Sequence, residues 1–130
     1  MDIIQVPVSP GEVLDKITIL EIKSERISDP GKVANVRREL ELLGSTWRES
    51  VEQDATISRI HTELKTINEA LWEIEDDIRD KERAREFDER FIELARSVYV
   101  TNDQRANAKK ELNEYLGSEI VEEKSYQDYQ

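Results

Sequence analysis

The sequence predicts an all-α protein: an up-and-down bundle of four to five helices preceded by a short extended arm. Three observations point there. Ile57, Ile60, Leu64, Ile67, Leu71, Ile74 and Ile78 recur at alternating steps of three and four, a heptad seam over three repeats. Helix-start signatures follow one another along the chain. Charged residues make up 38% of the chain against 4 glycines and 3 prolines, a composition that suits long helices.

The arm comes first. Residues 3–8, IIQVPV, are β-branched, but Pro7 limits them to an edge strand or an extended segment. Ser9-Pro10-Gly11-Glu12 then starts a helix, with Ser9 as N-cap, Pro10 at the first helical position and Glu12 closing a capping box. This helix runs from about 10 to 27 and is apolar on two faces: Val13, Leu14, Ile17 and Leu20 on one, Ile19 and Ile22 on another. Such a helix is central in a bundle or lies in a subunit interface.

Asp29-Pro30 repeats the start signal, and Val33, Val36, Leu40, Leu43 and Trp47 give the second helix its seam. It ends near Gly44 or continues to about Ser50. Asp54 or Thr56 begins the third helix, which carries the long seam. KERAREF contains no breaker, so this helix is either long or broken near Ala84 to Phe87. Phe87, Phe91, Leu94 and Val98 stripe a fourth helix. The run VYVT and a capping box of Thr101 with Gln104 predict a stop near Tyr99 and a fifth helix over about 102–116, closed by Gly117. The remaining SEIVEEKSYQDYQ has no helical seam and reads as an arm. The whole is expected to be one helical-bundle domain over 1–130, with an arm at 1–8 and a tail at 118–130.

Net charge is -11, which makes nucleic acid an unfavourable partner for the surface as a whole. The absence of cysteine removes disulfides and thiolate metal sites. No apolar run suffices to span a bilayer, and the N-terminus lacks the pattern of a signal peptide, so a cytoplasmic protein without membrane partners is expected. No glycine-rich phosphate loop is present, and the single histidine, His61, supports no catalytic triad. Neither an activity nor a cofactor can be named from these residues.

Several polar residues fall where apolar ones are expected. Glu69, Glu73, Asp76 and Asp80 form a ridge opposite the seam, either a solvated face or a metal-binding row. Asn68, Trp72, Glu75 and Arg79 form another stripe beside the seam. A tryptophan there implies partial burial, and Glu75 can pair with Arg79 one turn on. Glu21 sits between Leu14 and Ile17 on the first helix, while Arg105 and Lys109 align with Leu112 and Leu116. Asp88 lies beside Phe91, Ala95 and Tyr99. These charges read either as a compensating salt network or as a pocket. In the second case Glu21, Trp72, Glu75, Arg79, Arg105 and Lys109 would bind an anionic small molecule, with the carboxylates as bases or metal ligands.

The stretches VPVSPGEVLDKITILEIKSERI (6–27), NVRREL (35–40), INEALWEIEDDIRDKE (67–82), FDERFIELARSVYVTNDQRANAKKELN (87–113) and VEEKSY (121–126) resemble an uncharacterised family of small bacterial and phage proteins. That resemblance implies a small all-helical protein and brings no activity. It picks out Lys16, Glu21, Glu75, Asp76, Arg79, Asn102, Asp103, Arg105 and Lys109. Glu49-x-x-Glu52 and Glu73-x-x-Asp76 are also similar to the paired acidic motifs of all-α nucleotide pyrophosphohydrolases of the MazG type, which would imply Mg²⁺ and a polyphosphate substrate. Here Glu73 and Asp76 face away from the seam, so a partner subunit would have to complete that site. Two functions are therefore expected to compete: a homo-oligomeric interaction module, assembling through helix 10–27 or the heptad seams, and a binder or enzyme for an anionic ligand.

Overall fold

A computed structural model describes residues 3–129, so the first two residues of the predicted arm and the last of the tail lie outside the described residues. The described residues form four helices: α1 (Pro10–Arg26), α2 (Pro30–Ser50), α3 (Ala55–Ala84) and α4 (Glu89–Tyr115). No strand occurs among the described residues. The described residues of the arm before Ser9 and of the tail after Gly117 have no regular secondary structure.

Each helix start is set by a side chain that accepts one of the N–H groups left without a partner in the first turn. Ser9 accepts from Glu12, Asp29 from Lys32, Asp54 from Ile57 and Asp88 from Phe91. The carboxylate of Glu12 turns instead to Lys109 on α4, so the predicted capping box is used on one side. The expectation for Asp88 on a buried-looking face is also corrected, because the residue is an exposed cap.

Gly44 does not end α2, which continues to Ser50. α3 ends at Ala84, where Arg85 takes a left-handed conformation (φ 59) and the N–H groups of Arg85 and Glu86 bond back to Glu82 and Lys81. α4 closes with the same bond pattern around Gly117 at φ 68, where a glycine carries no Cβ penalty.

The predicted stop at Tyr99 is absent: α4 is a single helix. Its seam runs unbroken through Leu94, Val98, Thr101, Arg105, Ala108 and Leu112, in steps of four and three. Thr101 and Arg105 are polar members of a packed stripe, so tertiary packing overrides the local capping signal.

α1 is the central helix and packs against all three others. Leu14, Ile17, Leu20 and Ile22 are buried and Val13 and Ile19 half-buried, so most of both apolar faces is covered within the chain. The core takes Leu14 and Ile17 from α1, Trp47 from α2, Ile57, Ile60 and Leu64 from α3, and Ala108 and Leu112 from α4. α3 and α4 run antiparallel, tied by Tyr115 to Asp54 at one end, Arg59 to Glu111 within, and Lys81 to Asp88 at the other.

α3 has 30 residues and α1 has 17, so α3 is longer by about 20 Å at 1.5 Å per residue. α1 reaches its end where Arg26 meets Glu69 and Glu73. Beyond that point α3 and α4 continue as a two-helix hairpin. Ile57, Ile60 and Leu64 are buried, whereas Leu71, Ile74 and Ile78 are only half-buried.

Candidate functional site

The densest polar cluster lies where α1 meets α3 and α4. Asp15, Thr18 and Ile22 follow one another at steps of three and four, which puts Asp15 on the second apolar stripe of α1. Its side chain is 1% exposed. Arg105 donates to it through Nε at 2.9 Å and through one terminal nitrogen, a two-pronged pairing. Asn68 donates to Asp15 at 2.9 Å and to the Thr18 hydroxyl at 2.9 Å. Thr18 in turn donates to the Asp15 carbonyl oxygen at 2.7 Å. Every buried side-chain N or O atom among the described residues has a partner. The Asp15 bond raises the pKa of Arg105 further, outweighing burial.

A second cluster adjoins it one turn away on α4. Lys109 contacts Glu12 at 2.7 Å and the tail's Glu122 at 3.2 Å. Burial lowers the Lys109 pKa, but its bonds to Glu12 and Glu122 reverse that, and the net shift is upward. Ser9 donates to Glu122 at 2.7 Å. The tail runs back along α4 from there: Lys124 binds Asp103, and the Tyr129 ring packs on Tyr99 at 5.0 Å. A groove of about 790 Å³ lies between α4 and this tail, with Arg105, Lys109, Lys110 and Lys124 along it.

The close approach of α1 to α4 depends on Gly11. Its N–H donates to the side-chain oxygen of Asn113 at 2.7 Å. A Cβ at Gly11 would stand 2.6 Å from the Lys109 carbonyl oxygen and 2.9 Å from the Asn113 oxygen. Gly11→Ala is therefore expected to push α1 off α4 and to destabilise the fold by about 1–3 kcal/mol, read as a lower urea midpoint.

The tail contacts also set a pH response. The Ser9 hydroxyl, then Lys109, hold the Glu122 pKa below its ordinary 4.5, against an opposing burial effect. Lys124 lowers Asp103 in the same sense. A carboxylate whose folded pKa is depressed adds stability above its unfolded pKa and loses it as pH falls through the folded value. Tail seating is thus expected to hold at neutral pH and to fail below the ordinary carboxylate range. NMR amide shifts of residues 120–129 should report that transition.

The six residues expected to line one pocket are not brought together. Arg105 and Lys109 are neighbours in the two clusters. Glu21 lies at the margin of the core, with its carboxylate 2.7 Å from Nε2 of His61. Trp72 is half-buried. Glu75 and Arg79 pair with each other at 3.0 Å on the surface, the Arg79 side chain being 78% exposed. Arg79 is eleven residues beyond Asn68, about 16 Å along α3. The stripe Asn68–Trp72–Glu75–Arg79 passes from buried to exposed because α3 leaves the cover of α1 along it.

The acidic ridge is divided. Glu69 and Glu73 face Arg26, Asp80 pairs with Arg83, and Asp76 is exposed. In the other acidic pair, Glu49 is exposed in the last turn of α2 and Glu52 is exposed in the connection to α3. Sequence reasoning missed Asp15, Glu12 and Glu122 as partners. The signal available for Asp15 was its place on the Ile19 and Ile22 stripe.

A model for a family of unknown function, DUF6165, matches residues 4–129, nearly the whole chain. The chain belongs to that family. No curated protein and no solved structure matches it. Within this DUF6165 chain the residues picked out by family resemblance are dispersed: Glu21 meets His61 at the core margin, and Glu75 pairs with Arg79 on the surface. Asn102, Asp103, Arg105 and Lys109 lie along the α4 groove or meet the tail, whereas Lys16 and Asp76 are exposed elsewhere. No helix among the described residues is long and apolar enough to cross a membrane.

Proposed function

We propose that this DUF6165 chain is an interaction module that pairs with a second copy through the protruding α3–α4 hairpin. The observation that carries this reading is the change along the α3 seam. Its first part is sealed in the core, while Leu71, Ile74 and Ile78 are half-covered by α4. At the hairpin tip Phe87 is 56% exposed, its ring edge-on to Phe91 at 5.2 Å, and Ile92 is exposed nearby. Two helices leave part of a heptad seam open, and a second hairpin set against it would complete a four-helix arrangement. α1 is a poor interface in this reading, because most of its apolar faces is already covered.

Sedimentation equilibrium tests the proposal. The expected result is a dimer at micromolar concentration that Ile78→Asp dissociates while helical circular dichroism is kept. A wild-type monomer at tens of micromolar would overturn it.

The alternative, an anionic small-molecule site with Mg²⁺ among Glu21, Glu75, Arg79 and Arg105, has less support, because those residues lie apart with separate partners. The net charge of -11 disfavours nucleic acid. A cytoplasmic setting suits a cysteine-free helical chain and belongs to the same proposal.

A further inference from the structure

The protruding hairpin is acidic, and the end of the bundle beside its base is basic. Residues 69–93 carry eleven carboxylates and five cations, whereas residues 23–38, around the α1–α2 connection, carry five cations and two carboxylates. Near the hairpin tip Glu82 and Glu89 have no ion-pair partner among the described residues, and the same holds for Lys23 and Lys32 beside the connection. The open side of the seam is also defined. Leu64, Leu71 and Ile78 follow at steps of seven and so share one line along α3. Leu64 is sealed in the core with Leu14 and Ile17 of α1, so Leu71 and Ile78 are open on the side where α1 has ended. Trp72, half-buried, stands at this level, one residue before the Glu73 that Arg26 meets.

We propose that the α1–α2 connection is a docking site for the hairpin tip of a second copy, the two hairpins lying antiparallel and each filling the place beyond the other copy's α1. This docking rests on hairpin pairing through the open seam and adds to it a direction and a second contact. From Trp72 to Arg85 the hairpin spans about 20 Å at 1.5 Å per residue. Full antiparallel overlap of two such lengths puts a two-fold axis near Ile78 and sets each tip against the other copy's Trp72 and α1–α2 connection. The exposed Phe87 then gains an aromatic neighbour in Trp72, and the acidic tip meets Lys23 and Lys32. The hairpin shafts repel each other in either direction. Only the antiparallel one offsets that repulsion, because parallel pairing brings the two acidic tips together and leaves the basic connection without a counterpart.

The full chain has no cysteine, so single introduced cysteines report the direction of pairing. With the two-fold axis near Ile78, residue 75 lies opposite residue 82 of the second copy. An oxidised mixture of Glu75→Cys and Glu82→Cys chains is expected to give the mixed disulfide dimer in excess of either self-linked dimer. Self-linked dimers of each variant would mean parallel pairing, which overturns this docking and leaves hairpin pairing intact. Charge is read by sedimentation. Lys32→Glu is expected to weaken the dimer about tenfold, because each dimer holds two such contacts. A carboxylate in the first turn of α2 suits the helix dipole, so the monomer fold is kept. Glu82→Lys with Glu89→Lys should also weaken the dimer, although it lowers the net charge, and combining it with Lys32→Glu should restore pairing. A dimer indifferent to Lys32→Glu, or strengthened by the tip reversal alone, would overturn the docking. A wild-type monomer would overturn hairpin pairing and this docking with it.

Discussion

Asp15→Ala is expected to cost about 3–5 kcal/mol of unfolding free energy, measured by urea denaturation. The carboxylate is 1% exposed and accepts from both Arg105 and Asn68. Its removal leaves a half-buried guanidinium without its counter-charge and Asn68 without one of its two acceptors. Coulomb attraction is not the main reason for the size of the loss. An ion pair exchanged whole for apolar groups is often neutral, whereas a lone buried charge is costly. Asp15→Leu combined with Arg105→Leu should therefore lose less than Asp15→Ala alone. A loss under about 1 kcal/mol for Asp15→Ala would mean that Arg105 finds water or another partner, and that the cluster does not fasten α1 to α4.

The second large effect separates the two halves of the α3 seam. Leu64 is fully buried in the shared core, and Leu64→Ala is expected to cost about 2–5 kcal/mol through lost burial and an unfilled cavity. Ile78→Ala deletes a similar volume from the same heptad pattern, but on the hairpin, where the side chain is only half-buried. Its cost in a monomer should fall well below that of Leu64→Ala. In a paired hairpin the deficit should appear instead as a weaker dimer, so the two variants distinguish core from interface. Equal losses measured at concentrations where the chain is monomeric would contradict the exposure gradient along α3.

Much of the fold was legible because it is written in local chemistry. Ser9-Pro10, Asp29-Pro30 and Asp54 start helices in the structure as they do in the sequence, and Gly117 ends one. The illegible part was tertiary. Thr101 looks like a cap and VYVT looks like the stop of a helix, yet Thr101 and Arg105 occupy seam positions of an unbroken α4, because Asp15 on α1 supplies the partner for Arg105. The candidate site suffered from the same blindness. Periodicity places a residue on a face of its own helix, but it does not say how far a neighbouring helix extends. Glu75 and Arg79 share a stripe with the buried Asn68, but they lie beyond the end of α1 and pair in water. Glu122 carries no periodic signal, because its contact with Lys109 depends on a tail that turns back at Gly117.

The most direct test of hairpin pairing is amide hydrogen exchange across α3, measured as a function of protein concentration. Pairing through the open seam predicts that protection of residues 71–84, which open locally in a lone hairpin, rises with concentration, and by at least as much as that of residues 57–64, which are sealed by α1 and α4 and exchange through global unfolding. Exchange over residues 71–84 that is independent of concentration up to tens of micromolar would contradict it.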